Sequence, residues 1–120
     1  MDKNTDSNIF KVENEERKNY YLIRIRGRLA AENILTMRKI LEEAMEAGRT
    51  RILMDISAVE YVDSMGIGLI VNFSKKIREA RGRLVLANPT RVVNDVIEVS
   101  GTGSLLDIRR DVTDPDQVFA

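Results

Sequence analysis

The stretch 51–77, RILMDISAVEYVDSMGIGLIVNFSKKI, decides the fold. Its first part, residues 51–56, is apolar on both faces apart from Arg51 and Asp55, as in a central strand covered on both sides. Its last part repeats apolar residues at helical spacing: Ile67, Ile70, Val71, Ser74 and Ile77. Between them lies Asp63-Ser64-Met65-Gly66, where Ser64 or Asp63 caps the helix. The helix is expected to run to about Arg81, with Gly82 ending it. Strand, acidic loop and helix in immediate succession are half of a parallel β-α-β unit.

The flanks continue the alternation. Upstream, residues 20–26 read as a strand, with Tyr21, Ile23 and Ile25 alternating with Leu22, Arg24 and Arg26, and Gly27 closes it. A helix over 31–47 carries Ile34, Met37, Leu41, Ala44 and Met45, with Gly48 as its C-cap. Downstream come a strand at 83–87 and a helix opened by Pro89. That helix turns Val92, Val93, Val96 and Ile97 inward and ends at Gly101. A short strand at 105–108 and a turn of helix at Asp114-Pro115 follow. Residues 9–12 are expected to form an edge strand, residues 13–19 a charged turn, and residues 1–8 a flexible terminus. The expected fold is therefore a single α/β domain over 9–120, with a mostly parallel sheet of four to five strands and helices packed on it.

Composition narrows the chemistry. The chain has 120 residues, enough for one domain, with 43% hydrophobic and 32% charged side chains. Nineteen basic and nineteen acidic groups cancel, and the charged runs mix signs, which disfavours nucleic-acid binding. There is no cysteine and no histidine, so a disulfide framework and a Ser-His-Asp hydrolase are both excluded. The polar start lacks the apolar core of a signal peptide, and no run is long enough for a membrane span. The expected location is the cytoplasm. Asp55, Glu60 and Asp63 lie close in sequence, but no phosphate-cradling loop accompanies them. No enzyme activity, metal or cofactor is expected.

Several residues have both a structural and a functional reading. Ser64 is either an N-cap or a hydroxyl offered for phosphorylation. Asp63 caps the helix, orients the serine, or helps a kinase place Mg²⁺ and ATP; capping and orientation are favoured, because one carboxylate makes a poor metal site. Gly66 and Gly68 sit where glycine disfavours helix, which suggests close approach. The sheet suits Gly68 and a partner suits Gly66. Met65 and Leu69 lie off the core stripe and, if exposed, form an apolar patch beside Ser64. Asn88 or Thr90 caps the next helix, and Asn88 emerges at the same sheet edge as Ser64.

The run from Ile52 to Ile70 resembles the centre of the STAS domain, in its bacterial anti-sigma factor antagonist branch. The acidic loop with Asp-Ser-x-Gly is matched at Asp63 to Gly66. The following Gly-x-Leu-x-Leu strand is matched at Gly82 to Leu86, and a helix ending in Ser-Gly at Ser100-Gly101. The resemblance covers roughly residues 20–110 and agrees with the independent reading of elements. It implies a partner-switching protein whose phosphoacceptor maps onto Ser64. Its implied partners are a serine kinase that doubles as anti-sigma factor and a metal-dependent serine phosphatase. Asp63, Met65, Gly66, Arg28, Ala30 and Asn88 would form the contact surface. The chain departs from the family at one corner, where the usual Gly-Glu-Leu-Asp is Gly27-Arg28-Leu29-Ala30, and again at Met65, where a small residue is usual. The rival reading is a constitutive STAS adaptor in a transporter-associated or stress-signalling assembly, with Ser64 only a cap.

Overall fold

A computed structural model describes residues 10–120 of the chain. The expected flexible terminus 1–8, and Ile9 of the expected edge strand, lie outside the described residues. The elements run β1 (Lys11–Glu16), β2 (Tyr21–Leu29), α1 (Ile34–Glu46), β3 (Arg51–Val62), α2 (Ser64–Glu79), β4 (Arg83–Ala87), α3 (Arg91–Ser100) and β5 (Asp107–Arg109). The sheet order is β1-β2-β3-β4-β5. The pairs from β2 to β5 are parallel, and β1 lies antiparallel on β2 at one edge. The alternation of the sequence thus gives the expected α/β domain. Among the described residues no helix is long and apolar enough to cross a membrane.

The main departures concern strand ends. β1 extends through the residues expected as a charged turn, because Glu13, Glu15 and Glu16 pair through backbone while their side chains reach water. Gly27 does not close β2. It takes a φ of 95 and lets the strand continue past two register shifts to Leu29. β3 likewise runs six residues beyond Ile56, to Val62. Its burial there falls at Ile56, Val59 and Val62, because the bulges break simple alternation. Leu29 and Val62 end level with one another, so the chain leaves both strands at one place.

The helices follow their apolar stripes with modest shifts. A 3-10 turn, Ala31–Asn33, precedes α1, which buries Ile34, Met37, Leu41 and Ala44. In α2 the buried set adds Gly66, Leu69 and Phe73 to the expected stripe, of which Val71 is only partly covered, and the helix packs against both α1 and β4. It stops at Glu79, and the left-handed residue beyond it is Arg81 (φ 65), ahead of Gly82. α3 starts at Arg91 and buries Val93 and Ile97, whereas Val92 is exposed and Val96 only partly covered. Residues Gly103–Leu105 form a 3-10 turn, which moves the last strand to Asp107–Arg109.

All three helices bury their apolar residues against the same sheet face, with Ile23, Ile25, Ile52, Met54, Leu84 and Leu86 beneath them. The opposite face is covered by the chain's closing segment. Phe119 seals a second cluster with Tyr20, Leu22, Leu53, Val85 and Ala87, flanked by Val112 and Val118. Its ring stacks on Tyr20 with centroids 5.2 Å apart. The Tyr20 hydroxyl donates to Asp116 Oδ1 at 2.7 Å. Burial, reinforced by that bond, pushes the phenol up to about 12.

A raised phenol pKa stabilises the fold fully below the free tyrosine value near ~10 and ceases to do so as pH rises through the folded value. The closing segment should therefore loosen between about pH 10 and the folded value of about 12. Near-ultraviolet circular dichroism of wild type and Tyr20→Phe would show it. The variant should lack the transition that wild type shows in that window.

Candidate functional site

Asp63 is fixed by two local requirements. The first turn of α2 leaves backbone N–H groups without helical partners, and so does the chain entering the 3-10 turn after β2. One Asp63 carboxylate oxygen accepts from the Gly66 N–H at 2.9 Å, and the other accepts from the Ala31 N–H at 2.9 Å. Its own N–H donates to the Leu29 carbonyl at 3.4 Å. The residue thus caps α2 and ties the ends of β2 and β3 together. Burial alone would raise this carboxyl. The N–H groups of Gly66, Ala31 and Met65 outweigh it and hold the group below the usual aspartate range.

Ser64 is the first residue of α2 and is exposed. Because Asp63 caps the helix, Ser64 does not, and its hydroxyl has no hydrogen-bond partner among the described residues. The structure therefore removes the expectation that this serine serves as a cap. Beside it, Met65 is 52% exposed. Leu69, which would join that patch only if exposed, is buried in the main core. Other large apolar side chains left open at this end of the sheet are Leu35 at 76%, Val92 at 48% and Tyr61 at 39%. Leu35 and Val92 sit in the first turns of α1 and α3, and Tyr61 near the end of β3.

The close approach expected of these glycines is found at Gly66 and not at Gly68. A Cβ on Gly66 would collide with the Leu29 carbonyl oxygen and the Val62 side chain, so this glycine serves the fold. A Cβ on Gly68 would meet nothing within 4 Å. Gly66 is buried, and so is Ala30, which leaves a partner no access to their faces.

The departing corner carries its own contacts. The Arg28 guanidinium lies over the Tyr61 ring at 4.1 Å, and its Nε donates to Glu32 at 2.8 Å. The Arg28 carbonyl accepts from the Asn33 side chain at 2.8 Å. Asn88 takes a left-handed φ of 59 and bonds Val112 through both its amide oxygen and its amide nitrogen at 2.8 Å. It anchors the closing segment, while Thr90 caps α3 and donates its hydroxyl to the Val59 carbonyl at 3.0 Å. The structure thus groups Arg28, Asp63, Ser64 and Met65 at one corner and commits Asn88 elsewhere.

Sequence reading missed Glu32, Leu35 and Tyr61. The four-residue spacing of Arg28 and Glu32, and the off-stripe position of Leu35 in its helix, were the available signals. Among the described residues no group of three or more acidic side chains could hold a metal.

Three comparisons with known proteins agree on the fold. The profile of the STAS domain matches residues 11–114. The anti-sigma F factor antagonist of Lysinibacillus sphaericus is 28% identical over 83 residues, covering 68% of this chain and 71% of the relative. The unphosphorylated form of the anti-sigma factor antagonist SpoIIAA superposes with a TM-score of 0.74 at 24% identity, over 90% of this chain and 93% of that one. An anti-sigma factor antagonist from Mycobacterium paratuberculosis gives a TM-score of 0.77 at 13% identity, over 91% and 90%. At such identities the two structures carry the fold alone.

Proposed function

We propose a function from the premise that this chain belongs to the STAS domain family. It acts as an anti-sigma factor antagonist without catalysis of its own, in the cytoplasm. Unphosphorylated, it binds a serine kinase that also serves as anti-sigma factor. The kinase then transfers phosphate from ATP. The Ser64 Oγ bonds to the γ-phosphorus, the bond from that phosphorus to the ADP oxygen breaks, and the hydroxyl proton passes to a base of the kinase. A metal-dependent serine phosphatase later hydrolyses the ester and restores the hydroxyl.

The observation that carries this reading is the state of Ser64. The hydroxyl is exposed and uncommitted, because Asp63 performs the capping. The apolar side chains of Met65, Leu35, Tyr61 and Val92 at the same sheet end offer a partner area to cover. A phosphoryl group adds about −1.5 to −2 charges to this surface. The helix N-terminus tolerates an anion, so the domain stays folded while its contact surface changes.

The test is affinity capture from the native lysate with wild type, Ser64→Ala and Ser64→Asp as parallel baits. A kinase should be held by the first two and lost with the third, and its purified form should bind Ser64→Asp at least roughly tenfold more weakly. If all three baits recover the same proteins with equal affinity, the switch reading fails and a constitutive adaptor role replaces it.

A further inference from the structure

The Arg28 corner has a chemistry that the switch reading does not use. An arginine carries five N–H donors in a planar fork. Arg28 spends only its Nε–H, on Glu32, and its two terminal NH2 groups donate to nothing among the described residues. Its flat face rests on Tyr61, its register partner across the sheet, three residues before Ser64. The Ala31 N–H, between Arg28 and Glu32 in the chain, is bonded to the carboxylate of Asp63, the neighbour of Ser64. Backbone pairing and the Asp63 bonds therefore hold the arginine and the serine at one corner.

We propose that Arg28 is an internal receptor for the phosphoryl group on Ser64, its fork leaving Glu32 to pair with the phosphate oxygens. The proposal rests on Ser64 being the phosphorylated residue. A guanidinium matches phosphate through two parallel charge-assisted bonds, which one bond to Glu32 does not equal. The Tyr61 ring supplies a surface over which the guanidinium swings without losing its stacking. The groups facing the phosphate are then Arg28 as the cation, Asp63 and Glu32 as opposing carboxylates, and the helix N-terminus. Glu32 is freed as Arg28 moves. Negative charge thereby appears at two places on the contact surface, Ser64 and Glu32. A partner meets a rearranged corner as well as an added phosphate.

The bond to Glu32 is also the main reason that the guanidinium pKa lies above its ordinary value, with smaller contributions from Tyr61 and Asp63.

The experiment installs phosphoserine at position 64 of the full chain by genetic encoding, which needs neither kinase nor partner. Phosphorus NMR then follows the second ionisation of the phosphoserine, near pH ~6 when unperturbed, at low ionic strength. A paired arginine favours the dianion and lowers that midpoint. Wild type should titrate roughly half a pH unit or more below Arg28→Gln. Arg78→Gln, which removes a cation from the far end of α2, should titrate with wild type. Equal midpoints for wild type and Arg28→Gln, or equal upward shifts in both variants, would overturn the proposal. Because the phosphate is placed directly, either result leaves the kinase reading to its own test.

Discussion

Gly66→Ala should be a strongly destabilising single-methyl change, costing about 3 kcal/mol. The added Cβ would lie against the Leu29 carbonyl oxygen, a backbone atom that cannot move aside cheaply. Relief would require α2 to lift from the end of β2. That motion would lengthen the bonds from Gly66 and Ala31 to the Asp63 carboxylate together. Gly68→Ala is the matched control, because its Cβ meets nothing and alanine favours helix by about 1 kcal/mol. Urea unfolding of the two variants should move the midpoint in opposite directions. Equal and small effects would show that α2 does not bear on Leu29 as described.

The second large effect is expected at Phe119→Ala. This ring is 3% exposed and packs with Leu22, Leu53 and Val85 on the sheet face away from the α-helices. Truncating a buried phenylalanine costs about 3–5 kcal/mol when the site cannot collapse. Here the lower end applies, since a closing segment can partly readjust. The melting temperature should fall by roughly 10 °C or more. Tyr20 would lose its stacking partner, so its near-ultraviolet signal should weaken in parallel. A variant with wild-type stability would mean that the segment from Val112 to Phe119 does not close the sheet.

The order of elements was legible because burial on the helical side follows simple periods. Ile23 and Ile25, or Ile34, Met37 and Leu41, report their faces directly. Legibility failed where two strands deviate from period two. Past Ile56 burial recurs every third residue, which resembles neither strand nor helix, so β3 was expected to end six residues early. Gly27 read as a stop because a glycine's left-handed φ serves bulges and turns alike.

At the site, the Asp-Ser pair marked the correct corner, but a pattern cannot apportion two capping side chains. Only the reach of Asp63 to both Gly66 and Ala31 leaves Ser64 free. Gly66 and Gly68 look alike in sequence because the carbonyl that distinguishes them, that of Leu29, lies 37 residues away in the chain. The burial of Leu69, which the sequence leaves open, is likewise a matter of tertiary packing.

The bonds that Asp63 makes to both strand exits have a thermodynamic consequence. They hold the corner in place before any partner arrives, so little chain must be ordered on contact. Calorimetry of the complex should then return a heat-capacity change matching the apolar area covered, without the excess that accompanies folding on binding.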